Sequence, residues 1–161
     1  MSPTPRLRSR PPDAIEIEGG SRGRPVVLAT LAVPFDGEAA RVAMQAAMES
    51  NSTLVVIDAV ERPFWPLAAS MGHADLESDD DRELIRRFAG HAAKLGLDVE
   101  HLRVRTPRPV EALIQLAGER DAGLLVFGPD PSRLRPRFFG RVVRRIRKRV
   151  SCLLWIAGEG P

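Results

Sequence analysis

With 161 residues, 43% of them hydrophobic, the chain has the size and apolar content of one domain with a continuous core. Its longest apolar runs, such as Leu54 to Ile57, fall far short of the roughly 20 residues that span a bilayer, which excludes a transmembrane helix. The net charge of +3 is unevenly placed, because 9 of the 24 basic residues and none of the 21 acidic ones lie between Arg133 and Arg149, leaving the rest of the chain acidic.

Met1 to Arg24 mixes Pro, Arg, Ser and Gly without the apolar stretch of about 7 to 15 residues found in a secretory signal, and reads as a disordered arm on a soluble, cytoplasmic protein. The domain itself is expected over residues 25–157, with 158–161 as a tail. Pro25 to Leu31 is a continuous apolar run, the pattern of a strand buried on both faces of a parallel sheet. Ala39, Ala43, Ala46 and Ala47 then recur at helical spacing, with Asp36 available as the N-cap. Thr53 to Val60, rich in β-branched residues after the turn-prone Ser50-Asn51-Ser52, predicts the second buried strand.

Residues 61–78 follow neither period and are expected to form a long, partly apolar loop. Asp79, Asp80 and Asp81 suit a helix N-terminus, Leu84, Ile85, Phe88 and Ala92 give the next helix its apolar stripe, and Gly96 ends it. Val99 to Val104 alternates like a strand nearer the sheet edge. Val110 to Arg120 carries an apolar helix face, with Pro109 in the first turn. Gly123 to Gly128 and Cys152 to Ala157 predict the last two strands, with the basic helix between them. Strands alternating with helices imply an open parallel sheet covered on both faces.

The single cysteine, Cys152, lies in an apolar run and reads as a small core residue, so no disulfide forms within the chain. His73, His91 and His101 lack the i, i+4 pairing of a metal-binding helix, and Asp79-Asp80-Asp81 lacks the spacing and glycine of a calcium loop, so no metal is implied. Ser132 and Ser151 have no histidine close in sequence. No enzyme signature emerges.

The order of these elements, with the phrases Ala117 to Gly128 and Gly140 to Ile156, resembles the universal stress protein family over about residues 25–157. The resemblance implies a five-stranded sheet of order 3-2-1-4-5 and a ligand crevice at the switch point between strands one and four, beyond the carboxyl ends of the strands. It implies ATP or AMP as the cofactor. The ligand-facing candidates are then Ala29, Thr30 and Leu31 at the end of strand one, Ile57 in strand two, Gly128 and Pro131 after strand four, and Gly140, Arg141 and Val142 where the basic helix is expected to begin.

Family members that bind ATP carry Gly-x-x-Gly, nine residues, then Gly-Ser or Gly-Thr, so that amides and a hydroxyl converge on phosphates at a helix N-terminus. Here Gly128 and Gly140 match, but Pro131 stands at the second glycine, one residue is missing from the spacer, and Arg141 replaces the hydroxyl residue. An adenine-directed aspartate usually ends the first strand in such members, and Leu31 occupies that place. The motif is degenerate, which favours a small anionic ligand or a protein partner over ATP.

Arg133, Arg135 and Arg137 are expected in the loop and Arg141 to Arg149 in the helix, where the cations form either a solvated face or a phosphate-binding set. Nucleic acid is the less favoured partner, since the chain has no Tyr and Phe138-Phe139 read as loop packing. The last strand, Cys152 to Ala157, is an apolar edge that predicts a homodimer, as the resemblance also implies.

Overall fold

The structure is a computed structural model that describes residues 22–62 and 78–159. Most of the expected N-terminal arm, nearly all of the expected loop with His73, and the last two residues of the tail lie outside the described residues. Residues 22–24, assigned to the arm from sequence, are tied to the domain: the Gly23 amide donates to Ser50 O, and Arg22 and Arg24 pair with Asp98 and Asp121.

Five strands, β1 (Val26–Thr30), β2 (Leu54–Glu61), β3 (Val99–Thr106), β4 (Leu124–Phe127) and β5 (Leu153–Ile156), form one sheet in the order β3-β2-β1-β4-β5. Every neighbouring pair is parallel. Strand β1 lies at the centre and is buried at all five positions, as its unbroken apolar sequence requires. The sheet order and the α/β class are those expected.

Among the described residues, four helices cover the sheet: α1 (Gly37–Glu49), α2 (Asp79–Lys94), α3 (Pro109–Glu119) and α4 (Pro136–Arg149). Ala39, Ala43 and Ala47 of α1 and Ile85, Ala89 and Ala92 of α2 pack on one face, against Val26, Leu28, Leu54 and Val56. Val110, Leu113 and Ala117 of α3 and Val142, Val143 and Ile146 of α4 pack on the other, against Val27, Ala29, Val55, Ile57 and Phe127. The alternating residues of β1 and β2 thus feed two separate cores, as the two-residue period of a strand dictates.

Local chemistry sets the helix ends. Asp36 caps α1 by accepting from the Ala39 amide at 3.0 Å, and Ser78 caps α2 by accepting from the Asp81 amide at 3.1 Å. Pro109 opens α3 at a position where no amide hydrogen is needed. Beyond α2, Gly96 takes φ 92°, a left-handed conformation that favours glycine.

The basic helix departs from its expected start. It begins at Pro136, a full turn before Gly140, because proline fixes φ near the helical value and the missing amide costs nothing in the first turn. Arg137, assigned to the loop from sequence, is therefore helical. No helix of the described residues is long and apolar enough to cross a membrane.

Candidate functional site

At the switch point of the sheet, the segments that follow β1 and β4 are fastened to each other. The Gly128 amide donates to Ala29 O, the Asp36 amide to Gly128 O, and the Asp130 amide to Pro34 O, each at 2.9 Å. Phe35 and Pro129 form an isolated antiparallel bridge between the same two segments. Backbone pairing thus continues past the ends of both strands.

Gly128 is buried within this seam. A Cβ there would lie 2.7 Å from the Ala39 Cβ and 3.0 Å from the Leu28 Cδ1, so the glycine makes room for the start of α1. The alanine face of α1 and the glycine after β4 are two halves of one close approach.

The β1 side of the crevice is internally bonded as well. The Thr30 hydroxyl donates to Val33 O at 2.6 Å. Ala32 has φ 57°, unusual for a residue with a side chain, and its amide donates to the Asp58 carboxylate at 3.1 Å. Asp58 is 1% exposed, sits opposite Thr30 in the β1–β2 register, and also faces Arg103 at 3.8 Å. A buried carboxylate is costly without hydrogen bonds and an opposite charge, and Asp58 has both. It went unnoticed in the sequence, where a lone acid inside Val55-Val56-Ile57-Asp58-Ala59-Val60 is the available signal.

Beyond Gly128 the chain makes a short 3₁₀ turn, Pro131–Arg133. The Asp130 carboxylate accepts from the Ser132 amide at 3.0 Å and from the Ser132 hydroxyl at 2.7 Å. The Arg133 amide donates to Asp130 O, the Leu134 amide donates to Pro131 O, and Pro131 has no amide hydrogen. Every backbone donor from Asp130 to Leu134 is therefore engaged within the protein. Asp-Pro-Ser is a sequence that favours such a side-chain-closed turn.

Arg133 leaves this turn to pair with Asp81 in the first turn of α2 at 2.7 Å. Asp81 is 7% exposed, and this bridge ties the β4–α4 connection to the opposite face of the sheet. The acidic start of α2 thus has a specific counter-ion besides its helix dipole.

The predicted site residues separate into four groups. Ala29, Thr30, Ile57 and Gly128 come together at the switch point, all buried. Leu31 and Val142 belong to the core on the α3 and α4 face, and Pro131 lies against the turn after β5, its Cγ 3.0 Å from where a Gly158 Cβ would stand. Gly140 and Arg141 are exposed within α4, past the helix's first turn, rather than at its N-terminus. The expected loop packing by Phe138-Phe139 is divided: Phe139 stacks on Phe127 with ring centroids 5.9 Å apart, whereas Phe138 is 37% exposed.

A model described as the universal stress protein family matches residues 23–157. Among solved structures, a universal stress protein in complex with cAMP is 24% identical over 87% of this chain and 100% of its own, with a TM-score of 0.57. The universal stress protein from Archaeoglobus fulgidus in complex with dAMP is 18% identical over 84% of this chain and 98% of its own, at 0.57. UspA from Lactobacillus plantarum is 15% identical over 83% and 97%, at 0.61. At these identities the structural likeness is one of fold. Comparison with curated protein sequences gives no match.

Proposed function

This chain belongs to the universal stress protein family, and from that membership we propose a non-catalytic, regulatory stress-response domain whose modified crevice takes a small anionic ligand or a protein partner rather than ATP. The observation that carries this reading is the turn at Asp130 to Leu134. A phosphate cradle needs backbone amides free to converge on an anion. In this turn the amides are already engaged, and the Asp130 carboxylate holds the Ser132 amide and hydroxyl. The phosphate chain of ATP laid on this turn would meet Asp130 and would have to displace its hydrogen bonds, which a smaller anion seated clear of the turn would not. The test is mass spectrometry of the purified protein for retained nucleotide, with calorimetric titration of ATP. We expect neither retained ATP nor measurable heat. Micromolar ATP affinity that Arg141→Ala abolishes would overturn the reading.

A second reading is adenine-nucleotide binding, favoured by the two relatives of this fold solved with cAMP and dAMP. A monophosphate would displace fewer of the turn's hydrogen bonds than the phosphate chain of ATP. Titration with AMP separates the readings: saturable AMP binding without ATP binding supports the second.

We further propose a homodimer joined along β5, the edge strand with Leu153 74% exposed.

A further inference from the structure

Helix α4 has three distinct sides. Val142, Val143 and Ile146 enter the core. Opposite them, Arg137, Arg141, Arg144 and Lys148 recur at i, i+4, i+7 and i+11 and are all exposed. At 3.6 residues per turn the four fall within an arc of about 60°, in a row roughly 16 Å long at 1.5 Å per residue. On the flanks, acids engage the neighbouring cations: Arg145 and Arg149 share Glu111 of α3 at 3.4 and 3.3 Å, and Arg147 pairs with Glu159. Among the described residues none of the four central cations has a carboxylate within ion-pair distance, so the central row keeps its charge.

The chemistry of the row narrows what it can meet. It contains no apolar side chain, so it lacks the buried aromatic or aliphatic anchor on which protein interfaces depend. The apolar side of α4 is occupied by the domain core, so the helix cannot lie with that side in a lipid interface. It also has no aromatic platform for unstacked bases, because Phe138 lies to one side, in a cleft with Pro107, Arg108 and Arg145. What remains is a closely spaced row of anions. A duplex backbone presents one charge per about 1.7 Å of its axis, and guanidinium forks bind phosphate oxygens in pairs.

We propose that the Arg137, Arg141, Arg144 and Lys148 row binds the phosphate backbone of a double-stranded nucleic acid without reading its sequence. The aromatic platform missed in the sequence is a requirement of single strands, and backbone binding does without it. This interaction is independent of what occupies the crevice.

The test is fluorescence anisotropy of the full chain with a labelled DNA duplex, the matching RNA duplex, the corresponding single strands and phosphatidylserine vesicles, over rising salt. We expect a complex with one or both duplexes at low salt. Its log K should fall with log salt at a slope of about −3.6, at about −0.9 per phosphate neutralised for four contacts. Arg141→Ala/Arg144→Ala/Lys148→Ala should lower affinity at least about tenfold and flatten the slope toward about −1, whereas Arg145→Ala/Arg149→Ala should keep the slope within about one unit of the parent. If the triple variant does not fold, Arg144→Gln, expected to flatten the slope by about one unit, takes its place. The absence of a duplex complex at low salt overturns the proposal. So does tighter binding to single strands or vesicles, or a row variant that folds with an unchanged slope.

Discussion

At Gly128 the absent side chain matters more than any group present, because Ala39 and Leu28 occupy the space a Cβ would need. Gly128→Ala should destabilise the domain by about 1–3 kcal/mol through overpacking, read as a lower urea midpoint. The sequence identified this glycine through a phosphate motif, and the structure adds a steric reason for it. Its neighbour in α1, Ala39, is one residue of a small-residue stripe that helical spacing alone revealed. Asp58 and Asp130 escaped notice for a different reason: their partners, Ala32 and Ser132, are fixed by backbone turns that carry no period. A second residue-scale effect is electrostatic. Glu100 in β3 accepts two bonds from Arg120 at 2.9 and 2.6 Å, and those bonds hold its pKa below the ordinary 4.5 against the opposing effect of burial. Because the folded value lies below the unfolded one, the contribution is complete above the unfolded pKa and is lost as pH falls through the folded pKa. Glu100→Gln should cost under about 1 kcal/mol at neutral pH, since the pair is partly exposed. Urea titrations should find that gap closing below about pH 4.

Among the elements, the strands were the most legible and the β4–α4 connection the least. Fully buried parallel strands announce themselves as unbroken apolar runs, and the observed β1, β2, β4 and β5 fall within about a residue of the runs that predict them. The α4 start was misread because Arg and Pro alternate from Arg133 to Arg137, masking the first helical turn before Val142, Val143 and Ile146 supply a period. The fold of that connection depends on a contact 52 residues away in sequence, Arg133 with Asp81, which local spacing cannot reveal. Arg133→Ala would leave the Asp81 carboxylate, 7% exposed, without this bond. The expected loss is about 1–2 kcal/mol, moderated by the partial exposure of Arg133. Asp81→Asn in the same background should recover part of it, a double-mutant cycle that urea unfolding can measure.

For the whole molecule, the sheet order and the family were both legible, because the succession of strands and helices allows few parallel arrangements. The edges of the sheet carry the remaining question of assembly. The Leu153 and Ala157 amides donate toward β4, so by alternation those of Leu154 and Ile156 point to the open side. Leu154→Pro would remove an outward donor while leaving the β4 pairing intact. If β5 joins two copies, light scattering should find a dimer for the parent and a monomer for the variant. A monomer for both at high concentration would refute the edge pairing.

The hydrogen bonds that fasten the β1 and β4 segments also make the switch point its own sensor. The amide hydrogens of Asp36, Gly128 and Asp130 lie in one seam, so anything that pries the two segments apart exposes all three to solvent together. Their deuterium uptake would act as a built-in gauge of crevice opening, faster for a ligand that wedges between the segments and slower for one that braces them from outside.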